Sequence, residues 1–215
     1  GWCYEPLMQE AQIFADAPPV ERNGFITFGS FNNIAKFNPP LCDLWIEVLR
    51  QVPDSRLRLK AKAFFDPEIL LEWETRFTSA GIAKERLFFM PHKLQIKDHL
   101  AVYNEVDIAL DSYPYHGTTT TCEALAAGVP VVSLAGRSHV SRVGVSLLNA
   151  VGLADLVAER PEDYSAIAVK LAADRERLRQ LRTSLGARMK TSVLGDAEGF
   201  TRKLEGCYRQ MVANY

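Results

Sequence analysis

The chain has 215 residues, with 25 Lys or Arg against 26 Asp or Glu, a formal net charge of −1. Hydrophobic residues at 47% and a charge near zero exclude an intrinsically disordered chain, and without surplus positive charge nucleic acid is not an expected partner. At about 150 residues per domain, the length allows one large domain whose core needs no disulfide or metal staple.

Residues 1–23 show little periodicity and are punctuated by Pro6, Pro18 and Pro19, so they read as a linker or extended arm. Structure is expected from residue 24 to 215. A β-rich run at 25–28 predicts a first strand, stopped by Gly29 and Ser30. Asn38-Pro39-Pro40 opens a helix, because proline is accepted in a first turn. Leu41, Leu44, Trp45, Val48 and Leu49 then fall on one helical face. After the Pro53-Asp54-Ser55 turn, a second strand is expected at 56–61 and a helix at 67–80, closed by Gly81. A third strand at 87–90 stops at Pro91. A short helix at 96–104 leads to a fourth strand at 106–110, a loop at 112–117 and a helix at 118–127, closed by Gly128. A fifth strand is expected at 129–134, a helix at 141–151 and a sixth strand at 155–158. Two long helical patterns follow at 161–190 and 197–213.

This alternation of strand and helix predicts an α/β fold, a Rossmann-like doubly wound parallel sheet with helices on both faces. Ligands of such sheets bind at the carboxyl ends of the strands. Function is therefore expected in the loops at 29–38, 91–99, 111–120 and 135–142. The longest apolar stretch, 124–136, is broken by Gly128 and Pro130 and falls short of the ~20 residues a membrane span needs, so no membrane contact is expected. No basic stretch followed by an apolar run opens the sequence, so no signal peptide is expected, and a chain opening on Gly rather than Met is expected to be part of a longer one. The four cysteines are far apart and form no C-x-x-C pair, so they read as reduced thiols of a cytoplasmic protein.

The sharpest local signal is His116-Gly117-Thr118-Thr119-Thr120-Thr121-Cys122-Glu123, which follows a strand and opens a helix. A helix start offers free N–H groups and the positive end of its dipole. Gly117 lets the backbone approach a ligand closely, and the threonine hydroxyls add donors; together these suit a phosphate. The competing reading is a T-x-x-E capping box from Thr120 to Glu123, which accounts for one threonine and one glutamate but not for four threonines and a glycine. The loop Gly29-Ser30-Phe31-Asn32-Asn33-Ile34-Ala35-Lys36 can bring one positive charge to a phosphate, or Lys36 is simply a solvated loop lysine. No G-x-G-x-x-G or P-loop is present, and no G-x-S-x-G elbow. The histidines form no metal-binding pair, and there is no D-x-D triplet. His99 can stack on a base or cap its helix. Asp107 and Asp111 can form a carboxylate pair, or Asp111 is a turn residue. Arg137 and Arg142 can meet an anion or be ordinary surface arginines. None of the histidines is a convincing catalytic base: His116 sits beside the phosphate loop, and His92 and His139 have no nameable partner.

These residues, read in order, resemble the C-terminal catalytic lobe of the O-linked N-acetylglucosaminyltransferase family, glycosyltransferase family 41, in its bacterial branch. The matching segments are 24–36, Leu44-Trp45 through 52–57, 107–130, Ser141-Arg142 and 152–158, so the resemblance spans about residues 24 to 215. It implies the donor-nucleotide lobe of a GT-B glycosyltransferase, which transfers a sugar from a UDP-sugar, expected to be UDP-GlcNAc, to protein Ser or Thr side chains without a metal or other cofactor. By position, Lys36 is expected to meet the diphosphate and steady the leaving group, with Asn33 beside it. Thr119 and Thr120 are expected to bind the phosphates, with Gly117 and Thr118 beside them among the substrate-binding residues, Glu123 to accept the ribose hydroxyls, and His99 to lie against the uracil. The sequence departs from the animal enzymes at Asn33 (Gln there), Glu123 (Asp), Thr118 (His) and Val102 (Arg), and Ile96 stands at a ribose-contacting Lys position with Lys97 adjacent. The resemblance implies a protein acceptor, a missing N-terminal catalytic lobe and tetratricopeptide repeats in the full-length chain, so this chain alone is expected to be incomplete and inactive. The alternative is a non-catalytic nucleotide-binding or interaction module of a larger repeat protein.

Overall fold

The computed structural model describes residues 2–5, 14–91 and 95–215; Pro6 and His92 lie outside the described residues. Six strands form one sheet: β1 (Thr27–Ser30), β2 (Arg56–Lys60), β3 (Leu87–Met90), β4 (Ile108–Leu110), β5 (Val131–Leu134) and β6 (Val157–Ala158). Their order is β3-β2-β1-β4-β5-β6, and every neighbouring pair is parallel. The order reverses between β1 and β4, and a crevice opens at such a switch point, beyond the carboxyl ends of the strands. The helices are α1 (Val20–Asn23), α2 (Pro39–Gln51), α3 (Pro67–Ser79), α4 (Ile96–Ala101), α5 (Thr119–Ala126), α6 (Val143–Ala150), α7 (Pro161–Ala173), α8 (Arg175–Thr191) and α9 (Ala197–Ala213). The doubly wound architecture expected from the alternation is the one observed.

β1 and β5 are buried along their whole length, as parallel strands covered on both faces must be. β1 starts two residues later than the apolar run suggests and continues through Gly29 and Ser30 instead of stopping there. The reason is packing: a Cβ on Gly29 would stand 2.7 Å from the Val106 side chain. The glycine is thus a close-approach position inside the strand, not a stop. In α2, Asn38 accepts the Leu41 N–H through its side chain at 3.1 Å, with Pro39 and Pro40 in the first turn. Leu41, Trp45, Val48 and Leu49 are buried as the spacing predicts, while Leu44 is only partly buried. The long pattern at 161–190 is two helices, because Asp174 interrupts it and its carboxylate caps α8 by accepting the Arg177 N–H at 2.9 Å. All four cysteines are free thiols, and burial pushes those of Cys42 and Cys122 up to about 12.

The described part of residues 1–23 lies against the domain. Val20 is buried, and its N–H donates to Oδ1 of Asp107 at 2.8 Å, while Oδ2 accepts the Thr27 N–H at 2.8 Å. Burial still pushes the Asp107 carboxyl up to about 6, against these two bonds. The buried Arg182 of α8 donates to the carbonyls of Ala15 and Tyr103 at 3.1 and 3.2 Å, tying the amino-terminal segment, α8 and the approach to β4 together. Among the described residues no helix is long and apolar enough to cross a membrane.

Candidate functional site

Asp111, just past β4, builds the floor of the crevice. Its Oδ1 accepts the N–H groups of Ser112 and Gly117 at 2.9 and 2.8 Å, and its Oδ2 accepts the Ser133 hydroxyl at 2.7 Å. Burial holds its carboxyl above the ordinary aspartate range despite these donors. Asp111 is therefore the turn residue of the loop and does not pair with Asp107, which faces the amino-terminal segment. His116 is fully buried. Its Nδ1 accepts the Gly144 N–H at 2.9 Å, so the ring proton sits on Nε2 and donates to the Leu134 carbonyl at 2.8 Å. With Nδ1 occupied in this way, the 3.7 Å approach to Asp111 is not an ion pair, and His116 has no nitrogen left to act as a base.

Lys36 ends the short 3-10 turn after β1. Its Nζ donates to the carbonyl of His116 at 2.7 Å and lies 4.2 Å from the centre of the Tyr115 ring. The cation thus stands at the mouth of the loop that leads into Gly117. Burial lowers the Lys36 ammonium below the usual lysine value, and the Asp111 carboxylate opposes part of that shift. Asn33 is exposed and caps its own turn, its Oδ1 accepting the Ala35 N–H at 3.0 Å. The buried neighbour Asn32, which sequence reasoning passed over, makes the structural tie: its Oδ1 accepts the Thr120 hydroxyl at 2.8 Å, joining the β1 loop to α5 across the switch point.

At the start of α5 the N-cap position falls on Thr118, which makes no side-chain cap bond, while the Thr120 hydroxyl is bonded to Asn32 and Glu123 to His99, so the competing T-x-x-E box from Thr120 to Glu123 is not formed. Gly117 is buried and needed for internal packing. A Cβ there would lie 2.8 Å from the Thr121 hydroxyl and 2.9 Å from the Asn32 amide oxygen, and closer still to the Thr120 hydroxyl. The close approach is made by these side chains. Thr119 is exposed at the first helical position and Thr118 partly so. Thr120 and Thr121 are tied inward, the latter to the Gly117 carbonyl at 3.1 Å. The first N–H groups of a helix have no intrahelical acceptor, so this end presents donors and a positive dipole beside Lys36.

One turn along, Glu123 is buried and its Oε2 lies 3.0 Å from Nε2 of His99. The Tyr103 hydroxyl donates to the same oxygen at 3.1 Å. Behind His99, Lys60 at the end of β2 lies 2.9 Å from its Nδ1. An open cleft of about 760 Å³ runs over these groups; Asn32, Asn33, Thr120, Glu123 and His99 line it, with Lys62 and Phe65 of the loop after β2. Lys36, the α5 start, Glu123 and His99 thus follow one another along one side of the sheet's carboxyl edge. At the positions of departure, Ile96 is exposed and Val102 is buried, so Val102 offers no side chain to the cleft. Arg137 and Arg142 belong to a separate cleft beyond β5 and β6, and His139, exposed in the same loop, faces Trp2 at 6.0 Å. Among the described residues no three His, Cys, Asp or Glu side chains are grouped to hold a metal ion.

The profile of glycosyl transferase family 41 matches residues 20–204. The chain is 43% identical over 213 residues to a probable UDP-N-acetylglucosamine–peptide N-acetylglucosaminyltransferase SPINDLY of Oryza sativa subsp. japonica, covering 99% of this chain and 23% of that one. To a UDP-N-acetylglucosamine–peptide N-acetylglucosaminyltransferase of Caenorhabditis elegans it is 30% identical over 190 residues, 88% of this chain and 16% of the other. Among solved structures, an O-GlcNAc transferase mutant from Thermobaculum terrenum superposes with a TM-score of 0.88 at 37% identity, over 97% of this chain and 39% of that one. A sucrose-phosphate synthase from Thermosynechococcus elongatus shares the fold at 19% identity, with a TM-score of 0.62 over 99% of this chain and 52% of that one. The chain spans less than a quarter of the length of these curated relatives. With its Rossmann-like lobe of the GT-B type and this match over most of its length, the chain belongs to glycosyl transferase family 41.

Proposed function

We propose that this chain is the donor-nucleotide lobe of a protein O-glycosyltransferase that takes a UDP-sugar, UDP-N-acetylglucosamine by the naming of its relatives, and needs no metal. The observation that carries the reading is the succession of groups at the carboxyl edge of the sheet beside the switch point: the Lys36 cation, the α5 start, and the Glu123–His99 pair that lines the cleft. When the bond from the sugar's anomeric carbon to the diphosphate breaks, negative charge grows on the departing UDP. Lys36 and the helix dipole are pre-placed for that charge, and fixed donors are worth most where charge develops. They take the place that a divalent cation holds in other sugar-nucleotide enzymes. Glu123 is the acceptor for ribose hydroxyls, and His99 the platform for the base. The acceptor is a Ser or Thr hydroxyl of a protein, whose proton goes to a base other than the buried His116. The other catalytic lobe and tetratricopeptide repeats would belong to the full-length polypeptide.

The test is a transfer assay with radiolabelled UDP-GlcNAc, UDP-glucose and a GDP-linked sugar on a mixed protein acceptor, run with the full-length polypeptide, beside calorimetric titration of this chain with UDP. Saturable UDP binding and UDP-GlcNAc-dependent labelling are expected. A preference for the GDP-linked sugar would overturn the donor assignment. Binding without any labelling would favour the non-catalytic module, and no nucleotide binding at all would overturn the reading.

A further inference from the structure

Lys60 is 1% exposed, the most deeply buried cation among the described residues, and none of the roles assigned above uses it. Burying a lysine is costly unless it is paired or hydrogen-bonded. Its Nζ donates to Nδ1 of His99 at 2.9 Å and to the carbonyl of the same residue at 3.0 Å. The Phe31 and Tyr103 rings enclose it at 4.2 and 5.5 Å from their centres. An ammonium donates and cannot accept. Nδ1 of His99 must therefore carry the lone pair, and the ring proton sits on Nε2, where it donates to Oε2 of Glu123 at 3.0 Å. Both edges of the imidazole are thus taken, one by a cation from β2 and the other by a carboxylate from α5.

We propose that Lys60 is a positioning residue for the donor nucleotide: it locks His99 in the Nε2–H tautomer with both ring nitrogens engaged, so that His99 meets the nucleotide through its ring face alone. The inference rests on the cleft being the nucleotide site. Its consequence concerns specificity. Stacking on a ring face tolerates every base, so His99 supplies affinity without selecting the base, and selection falls to other groups lining the cleft.

The first test needs no nucleotide and no substitution: nitrogen-15 NMR of the His99 imidazole in the native chain. Nδ1 is expected to be unprotonated and Nε2 protonated; a proton on Nδ1 would overturn the proposal. Because the nucleotide is absent, this failure is distinct from a failure of UDP binding. In Lys60→Met, the ring is expected to populate both tautomers and UDP affinity to fall about tenfold; a variant that melts lower but keeps the tautomer and the affinity would overturn it. His99→Phe keeps a ring face and loses both edges. Its UDP affinity is expected within about threefold of native, whereas His99→Ala should lose roughly tenfold or more, as a lost base stack does. Equal losses in these two variants would show that an edge, not the face, meets the nucleotide.

Discussion

Replacing Gly117 by alanine tests the joint between the β1 loop and α5. The new Cβ would stand 2.8 Å from the Thr121 hydroxyl and 2.9 Å from the Asn32 amide oxygen, with the Thr120 hydroxyl closer still. Real Cβ atoms do not approach polar atoms so closely, so something must move. What moves is fixed by the bonds: the Thr120–Asn32 contact at 2.8 Å must open, or the Thr121 hydroxyl must leave the Gly117 carbonyl at 3.1 Å. Overpacking of this kind costs about 1–3 kcal/mol, and a buried acceptor left without its donor about 1–3 kcal/mol. Because the two overlap, we expect a loss of about 2–4 kcal/mol, and a fall of roughly 5–15 °C in Tm for a chain of this length. Displacing the start of α5 should also weaken UDP binding about tenfold or more, as loss of a charge-assisted contact would. Gly206, inside α9, is the control: nothing lies within 4 Å of a Cβ there, so Gly206→Ala should gain up to about 1 kcal/mol from helix propensity. Differential scanning calorimetry with UDP titration checks both variants. If Gly117→Ala melts with the control and binds UDP like the native chain, the packing account of this glycine is wrong.

The other predictions concern charge. Lys36→Ala should weaken UDP binding by about 10-fold to 150-fold, the equivalent of ~1.5–3 kcal/mol, while Lys97→Ala, exposed on α4, should change it little; equal losses in calorimetry would remove Lys36 from the site. UDP affinity should be unchanged by EDTA, and a tenfold gain on adding Mg²⁺ or Mn²⁺ would contradict the proposed metal independence. Asp107 titrates near 6 in the folded chain against 3.8 unfolded, so the folded state binds the extra proton. Its contribution therefore grows as pH falls from 6 to 4 and is lost as pH rises through that window; about 2–3 kcal/mol is at stake. Urea unfolding of the native chain and Asp107→Asn between pH 4 and 7 should show a flatter profile for the variant, and identical profiles would refute the assignment.

The strand–helix alternation was legible because several helices carry their own start signal, as Asn38-Pro39-Pro40 does for α2 and Asp66-Pro67 for α3. The Asp174 break was overlooked because the apolar spacing runs on across it, although Asp174 is itself an ordinary cap. Gly29 reads as a stop in sequence, since only the fold brings Val106 against it. The locations of Lys36, the α5 start, Glu123 and His99 in one region were legible through their place after strands and through the family pattern. Their actual partners were not. Asn32 and Thr120 are 88 residues apart, and Lys60 and His99 are 39 apart, so no local pattern links them. The competing T-x-x-E box fails for the same reason: Glu123 has better partners in His99 and Tyr103, which arrive from outside α5.

The most direct test of the central claim is an amide chemical-shift map of this chain titrated with UDP. The account predicts saturable shifts at Lys36, Gly117 to Thr120, Glu123 and His99, with little change at Arg137 and Arg142 in the neighbouring cleft. Shifts centred on residues 135–142, or none that saturate, would contradict it.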